Sequence, residues 1–432
     1  MIQPTAAAVQ ADAPRVVSVS ASLPPDTDPL AFLRALPDER RFYWEQPDAG
    51  TAIAGVGDAL VLGADGPHRL ARVAAELPAL PPDAVLVGGF AFDPGAPMVG
   101  AWRNFASTAW HVPRVTLVRR DGATRLVVVG PPGAPLDAEL ARARAALATP
   151  CRNRTPSPRR YALAPLRPAA AWRQAVSDTL ADVGAGRLDK LVLARGVRLR
   201  ADAPFDPLRA AARLRRAYPG CTVFAVGAGP TTFLGATPER LARVDGDRLV
   251  TAAVAGTAAR GSSTASDDRL AAALLASVKE RAEHACVVDD LRTRLAPLCD
   301  VLEAPATPSV LATEAVQHLH TPIAARLHPG CSLLEVAEAL HPTPAICGAP
   351  RAAAMAALAG RERLSRGWYG GGVGWLDGSG GEVVVAIRAA LVRGARATLF
   401  AGAGIVAGSD PDAELEETRL KLRPLLGALL EL

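Results

Sequence analysis

The sequence predicts an α+β fold built on large, mainly antiparallel sheets. Three observations carry that reading. Strand-like runs alternate with helix-like runs along most of the chain. Two pairs of strands are joined by Asp-Gly, at Asp121-Gly122 and Asp245-Gly246, and this dipeptide favours a tight hairpin turn. Half of the 432 residues are hydrophobic, so the chain can bury a large core as one big domain or two to three ordinary ones.

The elements follow in order. Residues 1–25 read as a flexible start. From "RRFYWEQP" (40–47) to "RVTLVRRDGATRLVVVG" (114–130) the pattern is strand-rich. "DAELARARAALA" (137–148) is a short helix, and a Pro/Arg-rich connector spans 150–168. A helix at 169–184 leads into a strand at 189–199 and a helix at 207–217. Strands follow at 222–228 and 232–236, with a hairpin over 241–257. One long helix covers 267–296. Helices near 308–315, 332–340 and 350–360 precede strands at 381–392 and 397–406. Asp410-Pro411 reads as the N-cap and first position of a last helix. Residues 26–160 thus form a strand-rich region packed into the same fold as the alternating region at 161–432. "YGGGVGW" (369–375) lacks a strand–turn–helix frame, which makes it a weak phosphate-loop candidate. Alternating helices and strands with Asp-Gly hairpins argue against a Rossmann unit.

Composition excludes several classes. Net charge is only +5 and the arginines are scattered. The densest basic patch, "RNRTPSPRR" (152–160), lacks aromatics and reads as a solvated linker, so no nucleic-acid partner is expected. Six cysteines (151, 221, 286, 299, 331, 347) are dispersed without a CxxC pair. They point to reduced thiols in a cytoplasmic protein rather than to disulfides or zinc. The N-terminus has no signal-peptide pattern, and no uncharged apolar run reaches spanning length, so no membrane association is expected. No repeat of solenoid length is visible. A monomer is the default expectation.

Lysine usage is a sharper fact. The chain has three lysines only, Lys190, Lys279 and Lys421. Lysine differs from arginine in that its pKa can be lowered enough to release a proton. Such sparing use suggests places that need an ammonium or an amine, set against the alternative of compositional drift.

Two acidic clusters share a spacing. In "SDPDAELEETRLKL" (409–422), Glu414, Glu417 and Lys421 fall on one helical face; in "SVKERAEHACVV" (277–288), Glu280 and Glu283 repeat the i, i+3 interval. Solvated helices with an i, i+4 Glu417–Lys421 pair are one reading. The other is two helices facing one divalent cation. A site of carboxylate oxygens and water suits magnesium rather than zinc, and few protein ligands leave room for a substrate carboxylate on the metal. His284 reads as a core or supporting histidine.

Nine stretches then resemble, in order, the chorismate-utilising enzymes. They are "DKLVLAR" (189–195), "FLGATPERL" (233–241), "AVAGTAARG" (253–261), "KERAEH" (279–284), "QHLHT" (317–321), "LHPTPAICGAP" (340–350), "WYGGGVGW" (368–375), "VVAIRAA" (384–390) and "AGAGIVAGSDPDAELEETRLK" (401–421). All three lysines lie inside them. The resemblance implies a sandwich-like core of two large sheets flanked by helices. It implies that Glu283 and Glu417 hold Mg2+, with Glu280 and Glu414 nearby, and that chorismate is the substrate. It also implies that Arg388 and Tyr369 grip the side-chain carboxylate of chorismate. Thr257, His318, Lys421 and the backbone of Gly402 and Gly404 complete the substrate site. Lys190 resembles the family's base and Glu239 its acid, so both pKa values must move toward neutrality.

Within the family the closest likeness is to isochorismate synthases. Ala255 stands where aminodeoxychorismate synthases carry a nucleophilic lysine, which implies water as nucleophile. The His341-Pro342-Thr343-Pro344 stretch also resembles isochorismate synthases, with His341 read as either a brake on pyruvate loss or a core histidine. A salicylate synthase and a non-catalytic chorismate- or metal-binding relative are the alternatives. The product would feed menaquinone, siderophore or salicylate synthesis. Thr237, Cys347 and Gly372 depart from the family pattern, which bears on fine geometry rather than class.

Overall fold

A computed structural model describes residues 16–149, 157–312 and 316–431. Two large sheets, of 12 and 10 strands, form its frame. Every strand pairing among the described residues is antiparallel. The N-terminal third is woven into both. Arg41–Gln46 pairs with Thr222–Ala228 in the larger sheet, with Trp44 opposite Phe224. Leu86–Phe90 pairs with Gly372–Asp377 in the smaller one.

The sheets pack face to face. Phe42, Trp44 and Phe233 of one share a buried cluster with Val87, Val373 and Val384 of the other, and Trp44 meets Trp375 edge-on at 6.0 Å. Helices cover the outer faces. Pro207–Ala217 and Pro411–Leu430 bury Leu214 and Leu425 against the larger sheet, while Val278–Leu295 and Leu333–Leu340 bury Leu291 and Val336 against the smaller. Burial of these apolar faces, at roughly 25 cal/mol per Å², is the main cohesive term. No helix of the described residues is long and apolar enough to cross a membrane. Cys286, Cys299, Cys331 and Cys347 carry free thiols.

Several expected elements differ. Within 1–25, Val17–Leu23 is a strand paired with Ala123–Gly130, and residues 1–15 lie outside the described residues. Within the 150–168 connector, Tyr161–Pro165 is a strand on the edge of Lys190–Ala201, and 150–156 lie outside the description. The helix expected near 308–315 is instead a strand, Ser309–Ala312, which Val316–Leu327 captures as a pairing partner; 313–315 are not described. The helix over 267–296 is two, Thr264–Ala276 and Val278–Leu295. Ser277 ends the first and caps the second, its hydroxyl accepting from the Glu280 N–H at 3.3 Å. The strand over 381–392 is also two, Gly380–Val385 and Ala389–Arg393, broken where Arg388 takes φ +48°. The glycine-rich "GGGVGW" enters a strand, Gly372–Asp377, so it is no phosphate loop.

Candidate active site

The last helix forms where the sequence placed it. Asp410 accepts from the N–H groups of Asp412 and Ala413 at 3.1 and 2.8 Å, and Pro411 occupies the first position. Glu414, Glu417 and Lys421 share one face. Glu414 accepts from the Ser409 hydroxyl at 2.8 Å. Burial raises its pKa and the neighbouring Glu417 charge adds to the rise, while the Ser409 bond opposes it. Lys421 pairs with Glu417 at 2.5 Å and donates to the Gly402 carbonyl at 3.0 Å. Burial lowers the Lys421 pKa, and Glu417 works against that.

The second acidic helix faces a bulge. Register shifts between Ala255 and Thr257, where Gly256 sits at φ +76°. A Cβ on Gly256 would stand 3.1 Å from Glu280 Oε2, so the missing side chain lets that carboxylate approach. Glu280 then accepts the Thr257 N–H at 3.2 Å. The Thr257 hydroxyl lies 3.1 Å from His318 Nδ1, whose N–H also reaches the Gly256 carbonyl at 3.3 Å. Burial lowers the His318 pKa, so the ring is neutral at physiological pH. Glu283, one turn further, accepts from Lys190 at 2.7 Å. His284 is buried, donating from Nδ1 to the Ala255 carbonyl at 3.3 Å and accepting from Thr321 at 2.7 Å. It supports the strand, as expected of a core histidine.

Lys190 opens the strand Lys190–Ala201, beside Arg396–Ile405. Val192 sends its N–H to the Cys347 carbonyl and Ala194 sends its own to the Glu362 carboxylate. The pairs Val192↔Gly404 and Ala194↔Gly402 are therefore of the non-hydrogen-bonded kind, and the N–H groups of Gly402 and Gly404 point to their strand's other side. On that side Ala389–Arg393 pairs only as far as Leu399. The two glycine N–H groups are left facing the cleft.

Glu239 lies in the bend between Thr231–Thr237 and Arg240–Asp245. Its N–H donates to the Thr237 hydroxyl at 3.2 Å, so threonine supplies here the hydroxyl a serine would. Burial lifts the Glu239 pKa to about 7, against the opposing charges of Lys190, Lys421 and Arg388. Solvent reaches part of the side chain from the cleft, but the protein around it is deep enough to make ionisation costly. Tyr369 is buried and stacks on Phe400 at 5.2 Å, and burial pushes its hydroxyl up to about 12. The Arg388 charge acts on Glu239, Lys421, Tyr369 and His318 alike, which places it centrally among them.

Other residues singled out in the sequence are buried around the cleft or lie away from it. Lys279 is exposed on its helix. His341 is a core histidine: it is buried against Phe90 and Phe92, its Nε2 donates to the Gly370 carbonyl at 2.9 Å, and burial pushes its pKa down to about 3. It braces the turn that carries Tyr369. Thr343 is buried with a hydroxyl that has no hydrogen-bond partner among the described residues. Ala255 is buried beside the bulge. Cys347 is buried with its thiol pushed up to about 11, which suits a packing role. Sequence reading missed Ser409 and the buried Glu362–Arg366 pair. Arg366 donates to the Val192 and Ile346 carbonyls at 2.7 and 2.9 Å and so fixes the strand below Lys190. Two opposite charges four residues apart in "GRERLSRG" were the available signal.

No three acidic, histidine or cysteine side chains converge into a metal cluster among the described residues. The donor chemistry nonetheless fits a hard divalent cation. Glu280, Glu283, Glu414 and Glu417 supply oxygen donors, Glu414 and Glu417 crowd like charges together, and Glu283 and Glu417 each already hold a cation, the ammonium of Lys190 or Lys421.

The cleft thus gathers the amines of Lys190 and Lys421 and the Arg388 guanidinium around a carboxyl, Glu239, that titrates near neutrality. Comparison with known proteins is specific. A model of the chorismate binding enzyme family matches residues 3–430, and the chain belongs to that family. It is 39% identical to the salicylate biosynthesis isochorismate synthase of Pseudomonas aeruginosa over 97% of this chain and 91% of that one. It is 32% identical to isochorismate synthase MenF of Bacillus subtilis over 93% and 91%. The solved structure of MenF, the menaquinone-specific isochorismate synthase from Escherichia coli, superposes with a TM-score of 0.82 at 27% identity, covering 96% and 95% of the two chains.

Proposed function

We propose that this protein is an isochorismate synthase, a magnesium-dependent isomerase that converts chorismate reversibly to isochorismate. The observation that carries the reading is the placement of Lys190 and Glu239 in one cleft, with the Glu239 pKa lifted to about 7.

Chorismate must gain a hydroxyl at ring carbon 2 and lose one from carbon 4. Lys190 Nζ takes a proton from the attacking water. Glu239 gives its proton to the departing hydroxyl, which leaves as water. No atoms are gained or lost, as an isomerisation requires. Arg388 and the Tyr369 hydroxyl hold the side-chain carboxylate, a task that suits a guanidinium fork. The free N–H groups of Gly402 and Gly404 add donors, and Lys421, Thr257 and His318 close the pocket. Glu283 and Glu417 would hold magnesium, with Glu280 and Glu414 acting through water. When bound there, the metal polarises the ring through its carboxylate. Ala255 puts no amine at the water's position. His341 acts on specificity only by bracing, through the Gly370 carbonyl, the turn that carries Tyr369, and Thr343 only from its buried position behind the cleft.

Proton NMR of chorismate incubated with enzyme and magnesium tests this. Isochorismate is the expected main product. Salicylate and pyruvate as the dominant early products would make the protein a salicylate synthase, and unchanged chorismate would make it a non-catalytic relative.

A further inference from the structure

A separate cavity of about 310 Å³ lies on the far part of the Lys190–Ala201 strand and shares no lining residue with the reaction cleft. Its walls have two characters. Trp102, Trp172, Leu364 and Phe400 give it an apolar, largely aromatic surface. Arg195, Arg198 and Arg363 line the same space, and none of the three has a carboxylate partner among the described residues. Arg195 donates only to the Thr418 hydroxyl, at 3.0 Å. The single acid in the lining is Glu362, and it is consumed by the Ala194 N–H at 2.7 Å and by Arg366. Arg361, also in the lining, is already paired with Asp182.

The half-buried Arg195 and the exposed Arg198 and Arg363 thus stand around an apolar cavity with no carboxylate to pair them among the described residues. A second feature favours an anion. The Ala169–Gly184 helix begins at the cavity with Pro168 as its N-cap, which offers no side-chain oxygen to the first-turn N–H groups. The volume suits one ring. Aromatic walls suit a flat apolar body, and guanidinium groups suit a carboxylate. A polyphosphate would waste the apolar walls, and an uncharged ring would leave the arginines unmatched.

We propose that this cavity binds a small aromatic monocarboxylate at a site distinct from the reaction cleft. Its walls touch the catalytic elements at three places. Arg195 holds Thr418, on the helix of Glu417 and Lys421. Trp172 donates to the Pro411 carbonyl at the start of that helix, at 3.3 Å. Phe400 stacks on Tyr369.

Isothermal titration of the full-length protein with benzoate tests the site. Arg198 and Arg363 are exposed, so the R198Q/R363Q double variant is expected to fold; a L364W variant fills the cavity instead. Wild type should bind benzoate, and each variant should weaken binding at least about tenfold, as loss of charge-assisted hydrogen bonds or of space requires. The reaction-cleft variant R388Q, which removes the guanidinium proposed to hold the substrate carboxylate, should bind it unchanged, which separates this site from the proposed chemistry. Inorganic phosphate should not displace benzoate. Equal binding by wild type and both cavity variants, loss of binding in R388Q, displacement by phosphate, or no binding to wild type would each overturn the assignment.

Discussion

Lys190 Nζ lies 2.7 Å from Glu283 Oε1, so the proposed base and a proposed metal ligand share one ion pair. Lys421 and Glu417 repeat the arrangement at 2.5 Å across the cleft. Each carboxylate is offered a cation by the chain itself. A divalent ion held by Glu283 would compete with Lys190 for the same carboxylate oxygens.

Removing either carboxylate should therefore show in metal use. Glu283→Gln and Glu417→Gln each lose a hard oxygen donor. Initial rates measured against magnesium concentration should shift to at least about tenfold higher magnesium in each variant. Chelation should stop wild-type turnover, and magnesium should restore it. Full activity of either variant at low magnesium would remove that residue from the ligand set.

The acid gives a pH prediction with a definite sign. Glu239 must begin the reaction protonated, and its pKa is lifted to about 7. The rate at low chorismate should fall as pH rises through about 7. Glu239→Gln should lose about 10²–10⁴-fold in turnover while retaining chorismate binding. Stability offers a second readout. The folded pKa lies above the ordinary value of 4.5, so the native state holds the extra proton between about 4.5 and 7, and stability drops as pH rises across that window. The glutamine variant should thus melt above wild type at pH 8, with the gap closing by pH 5. A gap that does not change with pH would place Glu239 outside the buried cluster.

Much of this was legible in the chain, and the misses have physical causes. The i, i+3 acid pairs and the Asp410-Pro411 start were readable because helix geometry alone fixes them. The break at Ser277 was signalled by Ser277-Val278-Lys279-Glu280, a serine three residues before a glutamate, but the apolar run around it masked the cap. Ser309–Ala312 became a strand because Val316–Leu327 pairs with it, a tertiary choice that local pattern does not encode. The left-handed Arg388 had no sequence signal at all, since a non-glycine residue there is sustained by its surroundings, among them the Ala236 N–H donating to its carbonyl at 3.2 Å. His341 shows the limit of motif reading: its stretch matches the family, yet the ring is buried and neutral behind Gly370.

Lysine itself can be tested at position 190. An anchor that only needs positive charge would accept arginine, which this chain uses nearly everywhere else. A base would not, because a guanidinium holds its proton far above neutrality. Lys190→Arg should fold and still bind magnesium, seen by calorimetry, yet lose at least about a hundredfold in rate. Near-normal turnover in this variant would return Lys190 to the role of an electrostatic anchor.

The position of that amine can be tested without touching it. A Cβ on Gly404 would stand 2.8 Å from Lys190 Cε and 3.4 Å from its Nζ. The obstacle is the far end of a flexible side chain, so Gly404→Ala should leave the fold intact. It removes backbone freedom from the unfolded chain and carries no left-handed strain, which argues for unchanged or slightly higher stability. The lysine, however, must swing aside. Displacing a reacting group by about 1 Å can cost about a hundredfold in rate, so turnover should fall steeply while the melting temperature does not. Glu283 would follow the ammonium or lose it, so the magnesium dependence should move as well. A variant with wild-type turnover would show that Lys190 does not act from beside Gly404. A loss of activity that merely tracks unfolding would trace the defect to packing and leave the amine's placement without a role.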